Sequence, residues 1–317
     1  ELDRHQVRAR VGRRERPRRL GCEPEAPVEV GIAEHEDHAV AAASQPGVPM
    51  ASVALCIIVV FVLIAVMAPL IAPYAPAETN GRNRLQSPSW DHPFGTDSLG
   101  RDVLSREIFG ARISLQVAVL AVAVAAGVGV PLGLISGYRG GWVDVVVMRL
   151  TDAVIAFPGL VLALTLVLVL GPSITNIMVA LGVGAAPNYA RLVRGQVLSL
   201  RNMEYITAAR SIGAGDTRIM TRYLWPNTLP SVIVAGTLTM GTAILAEASL
   251  SFLGVGVRPP TPTWGGMLNE AFTQIYVAPF LSFFPGLAIF IITLSFNLLG
   301  DGVRDLLDPR LRTTQGL

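Results

Sequence analysis

The chain has 317 residues, of which 51% are apolar and only 15% charged, with a mean hydropathy of +0.52 and a formal net charge of +2. That composition lies outside the range of soluble domains of this length and reads as an integral membrane protein with the lipid bilayer as its surroundings. The 25 basic residues are all arginine and are clustered, and with so small a net charge a nucleic-acid partner is not expected.

The absence of lysine excludes a Walker A loop and Schiff-base chemistry within this chain. Cys22 and Cys56 stand alone, so neither a disulfide framework nor a metal site is expected. His5, His35 and His38 lie near the start and His92 in a loop, which leaves no histidine for a proton relay in an apolar segment. There is no Gly-x-Ser-x-Gly elbow and no HExxH pair. An enzyme is therefore not expected, and no catalytic residue is assigned.

Residues 1–49 are polar and rich in Arg, Glu and Pro, as expected of a disordered cytoplasmic tail. Without an apolar stretch before residue 50, they do not read as a cleavable signal peptide. The chain opens on Glu1, and Met50 directly precedes the first apolar run, so a start-site artefact is the alternative expectation for the tail. Six segments then approach the twenty or so apolar residues that a span needs: 53–71, 113–135, 153–170, 174–190, 232–253 and 280–299. The expected fold is all-α and polytopic, with six transmembrane helices and both termini on one side. The fourth segment is the weakest, because Asn176, Pro187 and Asn188 interrupt it. These polar groups suit a partner helix or an aqueous path better than lipid. Gly127, Gly129, Gly133, Gly182, Gly184, Ala185 and Ala186 permit close helix packing or, alternatively, line a pore.

Arginine placement sets the expected orientation. The tail, Arg139, Arg149, the 191–230 loop and the region after the last span carry most of them and are expected in the cytoplasm. On the opposite side, the 74–112 and 255–279 loops are nearly neutral. Glu247, near the outer end of the fifth segment, is either a satisfied structural carboxylate or part of a path or gate. Asp152 is expected beside Arg149 at the start of the third segment.

Residues 204–230 form a polar island. Glu204 to Ile212 reads as a short helix whose small residues Ala208 and Ala209 let it sink into a groove. Gly213 and Gly215 break it, Asp216 is placed to cap the next helix, Pro226 is expected to end it at Trp225, and Pro230 marks entry to the fifth span.

Ala208, Ala209, Gly213, Leu229 and Pro230 resemble the EAA loop of ABC-importer permease subunits. The runs 92–115, 247–268 and 297–311 look like signatures of the C-type subunit of the dipeptide/oligopeptide/nickel branch, so that the resemblance covers nearly all of residues 50–312. It implies the type I importer permease fold. Glu204, Tyr205, Ala208, Ala209, Arg210, Gly213, Ala214 and Asp216 are then the ATPase-docking residues of a coupling element. Asn176, Asn188 and Glu247 are candidates for the translocation pathway or gate. Asp97, Arg101, Asp102 and Trp264 are candidates for contact with an external solute-binding protein, and the 95–102 stretch is expected to form a short helix over the channel mouth. The implied partners are a homologous B-type permease and one or two cytoplasmic ATPase subunits that carry ATP and Mg²⁺; no cofactor is expected on this chain. Short peptides are the implied cargo, with nickel or another small solute as the alternative. A nucleotide-independent transporter or channel is the competing class.

Overall fold

Helix α1 (Gly47–Ile71) opens the part of the chain that the computed structural model describes, residues 47–307. The expectations for residues 1–46, and for the region beyond residue 307, lie outside it. Along α1 the side chains of Ala51, Ala54, Ile58, Ala65 and Ala68 are buried, at spacings of three, four and seven residues that keep one helix face inward. Its larger residues, including Val53, Val60, Val66 and Leu70, are exposed, as suits a helix bathed in lipid.

After an irregular stretch with one 3₁₀ turn (Gly81–Asn83), α2 runs unbroken from Val103 to Arg139. Its 37 residues correspond to roughly 55 Å, well beyond the hydrocarbon thickness. The expected loop 74–112 is thus shorter than read from hydropathy. Residues 103–112 already belong to the helix, started by Asp102, whose carboxylate accepts from the backbone N–H of Ser105 at 2.8 Å.

Helices α3 (Gly141–Ile155) and α4 (Gly159–Leu170) replace the expected single third span and meet at an 89° bend. Pro158 explains it, since its ring disfavours a helical residue before it. Helix α5 (Ile174–Leu200) returns along α2. Here glycine governs the distance. A Cβ on Gly129 would lie 2.3 Å from the Ala186 carbonyl oxygen, one on Gly133 2.6 Å from that of Ala190, and one on Gly137 2.9 Å from Val193's neighbour one turn on, Val197 Cβ. Gly182 of α5 makes the reciprocal approach, with Val124 Cβ 2.5 Å from where its own Cβ would be. Close packing is therefore the role of these glycines, while Gly127 faces open space.

The chain then makes α6 (Glu204–Ser211) and α7 (Asp216–Ile219), one π turn (Met220–Leu224) and α8 (Trp225–Phe252). From Asp216 to Phe252 the helical path is continuous. The break expected before Pro226 is absent, because Trp225 holds helical angles (φ −55°, ψ −50°) and the π turn widens the backbone just ahead of the proline ring. Buried positions follow suit. Ile219 and Leu224 are five apart across the π turn, whereas Leu224, Thr228, Val232 and Gly236 recur every four. Helices α9 (Trp264–Phe272) and α10 (Phe280–Leu307) complete the fold, with α10 packed on α1 and α8.

All the regular elements among the described residues are helices; Thr96 and Asp102 form one isolated bridge. Four helical units are long and apolar enough to cross a membrane: Met50–Ile71, Val103–Arg139, Asp216–Phe252 and Phe280–Leu307. The bent pair α3 and α4 makes a fifth if it counts as one span. Helix α5 has the length but falls short in apolarity, since Asn176, Asn188, Arg191 and Arg194 punctuate it. Against the six spans expected, the described residues thus hold four such helical units, or five with the bent pair.

Gly133→Leu is expected to destabilise the fold by about 1–3 kcal/mol through overpacking, while Gly127→Leu leaves stability unchanged. Thermal unfolding of the two detergent-solubilised variants beside the parent protein checks this.

Candidate functional site

The polar island forms one end of the bundle. Gly213 adopts φ +81°, which stops α6. Its N–H donates to Arg210 O at 2.9 Å and that of Ala214 to Ala209 O at 3.0 Å, the paired bonds that close a helix C-terminus. Asp216 does not cap α7 as expected. Gly215 occupies the cap position without a side-chain bond, and Asp216, in the first turn, instead accepts a 2.8 Å hydrogen bond from the Tyr138 hydroxyl at the end of α2. Arg210 lies over the Tyr138 ring, its guanidinium carbon 5.3 Å from the centroid, and Arg201 donates to the Gly137 carbonyl at 3.0 Å. Tyr138 is thus the joint between α2 and the helix-turn-helix. The sequence contains it in plain view, but nothing in hydropathy or motif spacing separates it from the other tyrosines.

The two alanines part company. Ala209 is buried with Ile206, and the latter packs with Ile219, Leu224, Tyr138, Val193 and Val197 in one apolar cluster. Ala208 is exposed, as are Glu204, Tyr205, Arg210, Gly213 and Asp216, with Ile212 82% exposed at the tip; Ala214 is half-buried. The element therefore has an inner face that docks on its own chain and an outer face built from Tyr205, Ala208 and Ile212. Behind it, Arg194 grips Asp144 of α3 through two bonds of 2.5 and 2.6 Å. Asp152 pairs with Arg191 at 2.5 Å, not with Arg149 as expected, because α3 lies against α5.

At the opposite end of α2 sits a buried ion network. Arg101 donates to Asp97 at 2.6 Å and to Glu270 of α9 at 2.5 Å; Arg106 reaches Glu270 at 3.1 Å and approaches Asp97 at 3.5 Å. His92 Nδ1 lies 2.9 Å from Asp102. This network ties the loop before α2 to the helix between α8 and α10. Breaking one such buried pair costs about 3–5 kcal/mol.

Asp97, Arg101, Asp102 and Trp264, expected as contact residues, are all buried in this chain. The first two are held by the network, and Asp102 by its cap and by His92. Trp264 is fully enclosed, donating its indole N–H to the Glu107 carbonyl at 3.1 Å beneath the edge of Phe61, and Gly110 leaves room for it. The short helix expected over 95–102 is a turn and bridge instead. The helix at this end is α9, capped by Thr263.

The three pathway candidates do not converge. Asn176 donates to the carbonyls of Leu170 and Gly171 and so fastens the α4–α5 turn. Asn188 is exposed on α5. Glu247 is fully buried between α8 and α2, accepting from Ser251 at 2.7 Å and from Ser114 at 3.3 Å, which makes it a satisfied structural carboxylate in this conformation. Among the described residues no group of three His, Cys, Asp or Glu is arranged to hold a metal.

The described residues thus form a bundle of apolar helices with the helix-turn-helix at one end and a buried ionic cluster at the other. The chain belongs to the family described as binding-protein-dependent transport system inner membrane component, which matches residues 129–313. Residues 49–88 match the N-terminal transmembrane domain of oligopeptide transport permease C. It is 47% identical, over 83% of its length, to the dipeptide transport system permease protein DppC of Alkalihalophilus pseudofirmus, covering 87% of that protein. The glutathione transport system permease protein GsiD of Escherichia coli gives the same identity and coverage. The methionine ABC transporter MetNI, solved in inward-facing conformations, shares the fold: TM-score 0.53, 21% identity, 65% of this chain and 97% of that one. The protein is accordingly a multi-pass inner-membrane permease subunit of an ABC importer. It is non-catalytic, and separate subunits hydrolyse ATP.

Tyr138→Phe is expected to cost about 0.5–1.5 kcal/mol, the worth of one hydrogen bond. Hydrogen exchange in residues 204–219 should speed up while that of α2 stays protected.

Proposed function

We propose that the chain is the C-type permease of a peptide importer, pairing with a homologous B-type permease to form one path for short peptides. Its termini and the 204–224 element face the cytoplasm, and the Asp97–Glu270 network faces outward. One or two ATPase subunits, carrying ATP and Mg²⁺, receive the outer face of α6, and an external solute-binding protein delivers the cargo. The observation that carries this reading is the two-faced α6. Ile206 packs with Tyr138 of α2 and with Val193 and Val197 of α5, and Ala209 is buried with it, while Tyr205, Ala208 and Ile212 remain uncovered for a partner.

Transmission follows from continuity. ATP binding draws the ATPases together and moves α6, and the Tyr138–Asp216 bond and the helical path from Asp216 to Phe252 pass that displacement to α2 and α8. The bundle then switches from inward-open to outward-open, and hydrolysis resets it. A rigid helix conveys a shift at one end to the other because packed interfaces switch between discrete arrangements rather than deforming continuously.

Ala208→Trp tests the docking face, since its side chain points away from the chain's own core. Stability should change by less than about 0.5 kcal/mol, while cargo-stimulated ATPase activity of the assembled complex falls at least tenfold. Unchanged stimulation with normal assembly would reject the docking assignment. Ala209→Trp, in contrast, should destabilise the permease itself.

A further inference from the structure

The buried acids near this end of the bundle are met by donors: Asp97 by Arg101, Asp102 by Ser105, and Glu247 by Ser114 and Ser251. Glu107, in the second turn of α2, is not. It is 9% exposed, and both its carboxyl oxygens are enclosed with no hydrogen-bond partner among the described residues. We propose that Glu107 is a proton-binding site that latches α2 to α9, taking a proton from water when the two helices pack and returning it when they part.

Placement makes the site a latch. Val103, one turn before Glu107, belongs to one buried cluster with Met267 and Ala271 of α9. On the turn after it, Gly110 lies against Trp264 of α9, whose Cδ1 would sit 3.0 Å from a Cβ there. Trp264 donates to the backbone carbonyl of Glu107 itself at 3.1 Å and has no exposed surface. Helix α9 therefore covers this stretch of α2, and drawing it away would open Glu107 to water.

No cation is left over for the carboxylate. Arg106 projects about 100° away around the helix and is bound to Glu270, while Arg112 is exposed. In the loop ahead of α2, Arg101 is held by Asp97 and Glu270, and His92 lies against Asp102. Helix α1 carries neither acid nor base apart from the exposed Cys56. The ionisable groups nearest on α9 and α8 are acids, Glu270 and Glu247, and Arg258 ahead of α9 is exposed. Arg191 and Arg194 of α5, and Arg304 of α10, lie toward the opposite end of the bundle, where the first two pair with α3. A bare carboxylate without a donor is far costlier to bury than the neutral acid, so a proton is the ligand this enclosure accepts.

The sign of the effect follows. The packed arrangement binds one proton more than the parted one, so packing weakens as pH rises through the range in which an exposed glutamate is ionised. One proton shifts the opening equilibrium by up to about tenfold per pH unit. Acid holds this end shut and alkali frees it. Under the orientation proposed above the outer solution supplies the proton; the site itself does not depend on that reading.

The test uses the full chain in lipid nanodiscs. Infrared difference spectra at neutral pH should show a protonated carboxyl band in the parent that disappears in Glu107→Met and persists in Glu247→Gln; a carboxylate band lost in its place overturns the proposal. Hydrogen exchange over residues 264–272 is then compared between parent and Glu107→Met at each pH, which cancels the intrinsic chemistry of exchange. The ratio of parent to variant should climb several-fold or more from acidic to alkaline pH, and a flat ratio overturns the proposal. Glu107→Met should also raise the thermal stability at neutral pH, whereas a side chain retained for its contacts would lower it on replacement and defeat the latch. Glu107→Gln, neutral and of the same shape, repeats the exchange comparison should the methionine variant not fold, with the same two outcomes.

Discussion

The closeness of α2 and α5 is the constraint on which the remaining structure depends. Gly129, Gly133 and Gly137 present bare backbone to Ala186, Ala190 and Val197, and Gly182 does the same in return. In lipid there is no hydrophobic drive to press two helices together, so their association relies on dispersion contacts that only small residues bring within range. Both polar ends of the bundle hang from this pair. Arg106 fixes the first turn of α2 to α9, Arg101 does the same from the loop just ahead of it, and Tyr138 fixes the last turn of α2 to α7. If α2 stood further from α5, Val193 and Val197 would no longer reach the cluster that seats Ile206 and Ile219.

Much of this was legible without coordinates. Apolar run lengths located the helical segments, and glycine breaks at 213 and 215 separated the two short helices of the polar island. Hydropathy failed where a helix outlasts its apolar stretch: residues 103–112 are helical although they carry Arg106, Glu107 and Arg112, because Asp102 caps them and Glu270 neutralises Arg106. It also missed the bend at Pro158, since apolarity is a property of composition and continues across a kink.

The site was legible in outline and not in its sidedness. Adjacent alanines 208 and 209 look equivalent along the chain, yet a helix turns about 100° per residue, so one faces inward and the other outward. Asp216 was recognisable as a residue near a helix start, but its actual partner, Tyr138, is 78 residues away. Pairings at that separation leave no local signal. The same holds for Arg101 and Glu270, and for Trp264, whose place in a loop between two spans suggested exposure although Gly110 and Phe61 enclose it.

The π turn at Met220–Leu224 sets an angular phase. One added residue in a helix of 3.6 per turn offsets everything beyond it by about 100°, and it is this offset that brings Ile219 and Leu224, five residues apart, into the same buried line as Thr228 and Val232. Such a joint resists twisting as well as bending, since any rotation of the short helix must rotate the span with it. The short helix and the span are thus one continuous rod from Asp216 to Phe252, in which a rotation of either part is a rotation of the other.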